Sequence, residues 1–198
     1  MLISKSKKLS STVKKLSSFG YNKSLDERNI PGIYDIDLLG YNLRMSEVAA
    51  SIGIEQIKKL SRFLISRRKN AKIIKNILRN IEDILVLPSQ YKSSISSDFC
   101  VNIVLKSGNE KVRNSLILNL NKNNIGTSVH YPVCLPNSKF YSSYLKLKPE
   151  HIQKKFPVAI LFAKGTISLP CGPHLKNNDA KNIAKIFLKC LKEVKYGK

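Results

Sequence analysis

The feature that most constrains the fold of this chain is a long run of apolar residues at helical spacing between residues 46 and 80. These residues recur every three or four positions over about 33 residues, which predicts one continuous amphipathic helix. They are Val48, Ile52, Ile57, Leu60, Leu64, Ala71, Ile74 and Leu78. Ser46 is suited to cap the helix N-terminus, with Glu47 in the first turn. At a rise of 1.5 Å per residue the helix would be roughly 50 Å long, which suits a helix that connects two domains.

Beyond Pro88 the apolar pattern changes to shorter units. Alternation of apolar residues predicts a strand over 99–105, and further strands are predicted over 125–130 and 166–169. Helical spacing predicts helices over 109–123, 138–147, 156–164 and 178–194. This order predicts an α/β chain whose C-terminal part is a small α+β domain, with a three-stranded sheet covered by helices on one face.

Residues before the long helix form a different kind of segment. Turn residues such as Gly20, Pro31, Gly32 and Gly40 predict a loop-rich passage over 20–45. The first 24 residues are rich in Lys and Ser, as a transit peptide is, but they contain no Arg. An amphipathic surface helix is therefore the favoured interpretation.

The net charge of +22 raises the possibility of a nucleic-acid partner. Lysine outnumbers arginine 28 to 7, however, and the lysines are scattered instead of being clustered with aromatic residues. Nucleic acid is therefore not the partner we expect. The sequence has no apolar run long enough to cross a bilayer and no secretory signal in residues 1–24, so we expect no membrane partner and a soluble, cytoplasmic protein.

The sequence contains no self-contained catalytic or metal-binding motif. It has no GxGxxG, P-loop or GxSxG pattern, and its acidic residues are too scattered to nominate a carboxylate pair. The four cysteines are far apart, without metal-ligand spacing, and are expected to be reduced thiols; they are Cys100, Cys134, Cys171 and Cys190. We expect His151 to be exposed, whereas His174 follows a turn and is as compatible with a structural role as with a functional one.

Two segments contain residues suited to binding. Residues 40–47, GYNLRMSE, place the Asn42 amide and the Arg44 guanidinium just before a helix N-terminus, a combination that suits an anion. The alternative is that Asn42 shapes the turn and Arg44 pairs with a nearby acid. Residues 125–132, IGTSVHYP, end the predicted strand in a polar tip where His130 and Tyr131 could face a cleft, although the chemistry alone favours a structural histidine.

These segments resemble the signatures of one known family. Residues 40–47 with Ala49, Ala50 and Gly53 resemble the GYNxRMSE…AAxG pattern of the DegT/DnrJ/EryC1/StrS aminotransferases. Gln56, Leu60 and residues 67–68, RR, resemble that family's connecting helix. Residues 126–132, GTSVHYP, and residues 168–170, SLP, are similar to two later motifs. The resemblance extends over essentially the whole chain.

The resemblance implies the C-terminal part of a fold-type-I enzyme that depends on pyridoxal 5'-phosphate (PLP). Such enzymes form homodimers and transfer an amino group, usually from glutamate, to a keto sugar attached to a nucleotide, in pathways such as surface polysaccharide synthesis. It implies that Asn42 and Arg44 bind a phosphate across the dimer, and that His130 and Tyr131 border the substrate pocket. It also implies three parts: residues 1–45 as a remnant of the large PLP-binding domain with the dimer loop, residues 46–80 as the connecting helix, and residues 81–198 as the small domain.

The sequence departs from the family pattern at three places. Leu43 stands where an aromatic residue is common, and residues 171–174, CGPH, replace the usual run after SLP; either change could alter substrate choice. In the family, the Schiff-base lysine lies upstream of the segment that Met1 begins to match. No lysine of this chain is in that context, so we nominate no catalytic residue and expect the chain alone to be inactive.

Two classes of function remain open from the sequence. The first is part of an aminotransferase, whether a gene fragment, a split enzyme whose N-terminal half is encoded separately, or a chain with a mis-assigned start. The second is a non-catalytic remnant or dimerising regulatory protein on the same scaffold, or, less favoured, a basic nucleic-acid binder. Because residues 1–45 would leave apolar surface without a partner, we expect the chain to associate when it is produced alone.

Overall fold

The fold comes from a computed structural model that describes residues 2–196. Two compact units are present, one ending at Lys58 and one beginning at Lys59. The helices are α1 (Lys7–Leu16), α2 (Glu47–Leu78), α3 (Glu110–Lys122), α4 (Lys139–Tyr144), α5 (Pro149–Lys155), α6 (Pro157–Gly165) and α7 (Asn177–Tyr196). The strands are β1 (Ile84–Val86), β2 (Gln90–Tyr91), β3 (Ser94–Ile95), β4 (Val101–Leu105) and β5 (Thr166–Leu169). Short 3-10 helices cover Leu25–Glu27 and Leu135–Asn137.

The first unit begins with the predicted surface helix. Ser6 caps α1, since its side chain accepts a hydrogen bond from the Leu9 N–H. After α1 the chain turns at Gly20, which has a φ of +77° and crosses Gly40 so closely that a Cβ on either residue would clash with backbone. This crossing lets residues 40–43 run back beside the end of α1.

Helix α2 confirms the long predicted helix, with 32 residues. Ser46 caps it as expected, accepting a hydrogen bond from the Ala49 N–H at 3.2 Å. Its apolar stripe is buried only near the C-terminal end, at Ala71, Ile74 and Leu78, while Ile52 is 60% exposed. The continuous stripe predicted the helix correctly, but only part of the stripe is packed against other described residues.

The second unit contains a three-stranded antiparallel sheet in the order β1–β4–β5. One face of the sheet and helices α2, α3 and α7 share a single apolar core, which includes Ile103, Leu116, Ile167 and Phe187. A smaller core around Ile152 and Ile160 joins α5 and α6. This mixture of helices and a small antiparallel sheet confirms the predicted fold class.

The predicted strand over 125–130 is wrong. Ser128 makes a single antiparallel bridge with Ser168, at the edge of β5, and the flanking residues pair with no strand among the described residues. Exposure alternates along the segment, since Gly126 and Ser128 are exposed while Ile125 is buried. The segment is nevertheless not a strand, because consecutive residues do not pair with a neighbouring strand. The third strand is instead β1, whose three residues are too few to show a period in the sequence.

The C-terminal elements follow the sequence closely, apart from one missed helix. Strand β5 and helix α7 lie where they were predicted, and α6 begins at Pro157, where the missing N–H of proline leaves no helical hydrogen bond unmade. Helix α5 is an addition of only seven residues, which also begins at a proline. No helix among residues 2–196 is long and apolar enough to span a membrane.

Candidate functional site

The first candidate site is the loop before α2, which contains Asn42 and Arg44. The Leu43 N–H donates to the Ser17 carbonyl at 3.0 Å, so the loop is tied to the end of α1. The Arg44 Nε donates to the Asn42 Oδ1 at 3.2 Å, and its guanidinium lies 5.3 Å from the centre of the Phe19 ring. These contacts hold the amide and the guanidinium together on an exposed surface.

The donors in this loop fit a phosphate group. The terminal nitrogens of Arg44 make no hydrogen bond to another described residue, and no carboxylate among residues 2–196 pairs with this guanidinium. The structure therefore does not support the alternative in which Arg44 is neutralised by a nearby acid. A planar guanidinium with free N–H groups binds phosphate oxygens in pairs, so the 5'-phosphate of PLP is a ligand that these residues could hold.

Arg44 also lines a basic cavity of about 740 Å³ within the first unit. Lys14, Lys23 and Arg28 contribute positive charge to its wall, and Lys15 forms an ion pair with Asp37. The Ser24 backbone N–H lowers the pKa of the Glu27 carboxyl, because it donates a hydrogen bond to the ionised form. Five basic side chains line the cavity against two acidic ones, Asp26 and Glu27, and this excess of positive charge favours an anionic ligand.

The second candidate site surrounds His130 in the second unit. The His130 Nδ1 lies 3.1 Å from the Ser168 Oγ, 3.5 Å from the Ser128 Oγ and 3.8 Å from the Cys100 Sγ. The Ser168 hydroxyl in turn donates to the Asn102 Oδ1 at 2.7 Å. The imidazole is therefore held on one side by a set of polar side chains at the β4–β5 pair.

Tyr131 follows His130 through a cis peptide bond and is 77% exposed. The two rings meet edge to face, with centroids 5.8 Å apart. Both residues line a cavity of about 660 Å³ whose other walls are largely apolar, including Phe156 and Phe162, with Lys155 also present. A cavity with an imidazole and a phenol on one side and apolar walls on the other suits a ligand that has both hydroxyl groups and apolar edges.

Several residues around His130 were not selected from the sequence. Asn102 lies between the buried Val101 and Ile103, on the other face of β4, and it is directly opposite Ser168 in the register of β4 and β5. Phe99 lies 6.3 Å from His130 between ring centres and 5.9 Å from the Arg67 guanidinium. The only sequence signal for this set was Ser168, in the SLP motif, because strand pairing brings the other residues together from distant positions.

The first residue after the SLP motif lies within the core. Cys171 is fully buried and its thiol donates to the Asp98 carbonyl at 3.0 Å. Burial raises the pKa of Cys171 to about 11. Asp98 is itself buried and paired with Lys75 at 2.8 Å. Cys171 is therefore a packing residue whose thiol stays protonated at neutral pH.

The remaining histidines and cysteines form no further site among the described residues. His151 is exposed, as expected, and His174 is an exposed turn residue beside Gly172. The four cysteines form no disulfide. No three His, Cys, Asp or Glu side chains in residues 2–196 are placed to share a metal ion.

Comparison with known proteins gives relatives that include a transaminase and a dehydratase of nucleotide-linked sugars. The chain is 31% identical to the UDP-4-amino-4,6-dideoxy-N-acetyl-beta-L-altrosamine transaminase of Campylobacter jejuni, over 99% of this chain and 49% of the relative. It is 34% identical to the GDP-4-keto-6-deoxy-D-mannose 3-dehydratase of Escherichia coli, over 54% of this chain and 29% of that enzyme. The chain thus spans less than half the length of either relative.

Solved structures show the same fold. The chain superposes on Helicobacter pylori PseC, an aminotransferase involved in the biosynthesis of pseudoaminic acid, with a TM-score of 0.80 at 22% identity, over 95% of this chain and 47% of that one. It superposes equally well, with a TM-score of 0.80 at 22% identity, on a Streptococcus pneumoniae protein described as a sugar aminotransferase and solved in its PLP form, over 94% of this chain and 44% of that one.

A family profile covers nearly the whole sequence. The profile of the DegT/DnrJ/EryC1/StrS aminotransferase family matches residues 1–188. The three motifs identified in the sequence, at residues 40–47, 126–132 and 168–170, all lie within the matched range. The chain therefore belongs to the DegT/DnrJ/EryC1/StrS aminotransferase family.

Proposed function

We propose that this chain is the C-terminal part of a PLP-dependent aminotransferase that acts on a nucleotide-linked keto sugar. The proposal rests on the exposed loop before α2, where Arg44 donates a hydrogen bond to Asn42. No acid among the described residues forms an ion pair with Arg44. Family membership supports the aminotransferase scaffold. The Campylobacter relative, a transaminase of a UDP-linked amino sugar, supports the substrate class.

The two sites have separate tasks in this proposal. Asn42 and Arg44 bind the cofactor phosphate at the active centre of a partner subunit, using two N–H groups of the guanidinium and the amide. When bound, PLP supplies the electron sink that lets an amino group pass from a donor such as glutamate to the keto carbon of the sugar. His130 and Tyr131 border the sugar-nucleotide pocket and orient the sugar.

In this proposal the chain makes a dimer contact, and an N-terminal half on another polypeptide completes the enzyme. Large apolar side chains of α2 are exposed, among them Val48, Ile52 and Ile57. Such a surface is typical of an interface, and we assign it to a homodimer or to a separately encoded N-terminal half. The Schiff-base lysine and the acid that pairs with the pyridine nitrogen come from that half, so the chain alone is expected to be inactive.

Complementation tests this proposal directly. The full chain is co-produced with the part of the Campylobacter transaminase that this chain does not match, and glutamate-dependent amination of a UDP-linked 4-keto sugar is followed by mass spectrometry. We expect amination with both parts and PLP present, and none with either part alone. The variant Arg44→Ala is expected to lose most of this activity, whereas Lys58→Ala, also exposed in the first unit, is expected to retain it.

The same assay separates the alternatives. Loss of water from the sugar without gain of nitrogen would indicate a dehydratase, which is what the Escherichia coli relative is named for. If the complemented chain forms a stable complex but converts no sugar, the scaffold is a non-catalytic binding protein and the proposal is wrong. Salt-sensitive retardation of arbitrary DNA by the chain alone would favour a nucleic-acid binder instead.

A further inference from the structure

The polar set around His130 has a fixed direction of hydrogen bonding. Ser168 has one hydroxyl hydrogen, and it is directed to the Asn102 Oδ1 at 2.7 Å. Because that hydrogen is used, the Ser168 oxygen can only accept a hydrogen bond from the His130 Nδ1, 3.1 Å away. A neutral imidazole that donates from Nδ1 carries its free lone pair on Nε2.

A second neighbour of the imidazole acts in the same direction. The Cys100 thiol also donates to the Asn102 Oδ1, at 3.3 Å, which leaves its sulfur as an acceptor 3.8 Å from the His130 Nδ1. Asn102 thus accepts from Ser168 and Cys100, while the third polar neighbour of the imidazole, the exposed Ser128 hydroxyl, lies 3.5 Å from Nδ1. One amide oxygen therefore sets the hydrogen-bond direction of the two less exposed neighbours.

Burial makes this arrangement persistent. Ser168 is 2% exposed, so water cannot readily replace Asn102 as the partner of its hydroxyl. Asn102 and Ser168 are directly opposite each other on β4 and β5, where strand pairing fixes the separation of their side chains. Reversing the Ser168 hydroxyl would leave the half-buried Asn102 oxygen with only the weak Cys100 thiol as a donor, which costs free energy.

We infer that Asn102 and Ser168 are positioning residues that hold His130 as the Nδ1–H tautomer, so that Nε2 is a hydrogen-bond acceptor in the substrate cavity. The Nε2 atom makes no hydrogen bond to another described residue, and His130 lines the cavity shared with Tyr131. This inference rests on the proposed function, and it specifies which group of the sugar contacts the His130 Nε2. That group is a donor, a hydroxyl, and not a keto oxygen or a phosphate oxygen.

The tautomer can be read in the full chain without cofactor or substrate. Long-range proton–nitrogen NMR at about pH 8.5, where an ordinary imidazole is neutral, separates protonated from unprotonated ring nitrogens. The chain has three histidines, so His151→Gln and His174→Gln variants assign the His130 signals. We expect the His130 Nδ1 in the N–H range and Nε2 in the lone-pair range. An Nε2–H tautomer in the unmodified chain would overturn the inference.

Two variants test whether Asn102 and Ser168 are the cause. In Asn102→Leu the Ser168 hydroxyl loses its acceptor and is free to donate to Nδ1, so the Nε2–H form is expected to increase. Ser128→Ala is the matched control, because Ser128 is exposed and 3.5 Å from the same nitrogen, and the tautomer should not change. A folded Asn102→Leu chain with the unmodified tautomer would contradict the inference.

The smaller change Ser168→Ala keeps the test decisive if Asn102→Leu does not fold. It removes the nearest acceptor, so the Nδ1–H fraction should fall, and an unchanged fraction would contradict the inference. These spectra are independent of the amination assay. A failed amination assay with the expected tautomer rejects the proposed function alone, whereas amination by a chain with an Nε2–H tautomer rejects this inference alone.

Discussion

The two units of this chain differ in how they use apolar side chains. In the second unit, residues such as Ile103 and Phe187 are fully buried in a core shared by the sheet and three helices. Among the described residues of the first unit, only Gly20 is buried, while Leu39 is 87% exposed and Val48 is 72% exposed. Burial of apolar side chains therefore stabilises mainly the second unit. The first unit instead exposes apolar side chains that are suited to contact with another polypeptide.

The largest change in stability is expected when a core side chain is removed. Phe187→Ala should destabilise the chain by about 3–5 kcal/mol, because a fully buried aromatic side chain leaves a cavity. Ile52→Ala, at a position that is 60% exposed in the first unit, should change the free energy of unfolding by less than about 0.5 kcal/mol. Urea unfolding followed by far-UV circular dichroism measures both variants. Equal losses would show that the first unit also contributes a folded core.

A comparison of two ion pairs sharpens the contrast. Lys75 and Asp98 are paired in the second unit with side chains 14% and 2% exposed. Lys75→Ala leaves the buried carboxylate without its cation and should cost about 3 kcal/mol. The matched variant Lys58→Ala breaks an exposed pair with Glu55 in the first unit and should cost less than about 1 kcal/mol. The same urea titration checks this, and a cost for Lys58→Ala equal to that for Lys75→Ala would contradict the account.

The buried thiol of Cys171 gives a pH-dependent test. Its pKa is raised from 9.0 to about 11 by burial, so the folded chain keeps a proton that the unfolded chain releases. The corresponding stability is fully present below pH 9 and is lost as the pH rises to about 11. The loss should be roughly 2 kcal/mol. Cys171→Ala should reduce the decline between these pH values, and an identical decline in the variant would show that the thiol does not contribute.

The smallest effect on global stability is expected at the glycine crossing of the first unit. Gly20→Ala places a Cβ against the Leu38 carbonyl at a φ of +77°, which should open the crossing with Gly40. The Phe19 and Leu43 amides, which donate to the Tyr41 and Ser17 carbonyls, should then exchange faster with deuterium, while the amides of β4 keep their protection. Gly53→Ala, where an added Cβ meets nothing within 4 Å, is the control and should leave all of these amides unchanged. Faster exchange in the β4 amides of Gly20→Ala, or no change at Leu43, would argue against separate units.

The sequence predicted best where one element carries its own signal. Helix α2 has an apolar stripe, a cap and enough length for the period to be counted. The stripe did not predict that Ile52 is exposed and Ile74 is buried. Helical spacing identifies the apolar face of a helix, but it does not show which part of that face is covered by other residues. Strand β1 was not predicted, because three residues do not establish a period. The predicted strand over 125–130 was wrong, because alternation along the sequence does not show that a neighbouring strand pairs with it.

For the candidate sites, the sequence predicted some residues but not their contacts. The motifs identified His130 and Arg44, but not the contacts that decide what each can do. Asn102 and Ser168 are 66 positions apart and meet only through the register of β4 and β5. The hydrogen bond from Arg44 to Asn42 is local, and it was within reach of the sequence because the two residues are two positions apart. The contacts around His130 therefore depend on strand pairing, which the sequence motifs do not predict.

The central claim is that the loop bearing Asn42 and Arg44 holds the phosphate of PLP, and cofactor affinity tests it most directly. Equilibrium dialysis of PLP against the complemented complex gives the dissociation constant for the unmodified chain, for Arg44→Ala and for the control Lys58→Ala. Loss of a charged hydrogen-bond donor to phosphate should weaken binding by roughly 10- to 100-fold in Arg44→Ala, with no change in the control. Equal PLP affinity in the unmodified complex and in Arg44→Ala would contradict the account.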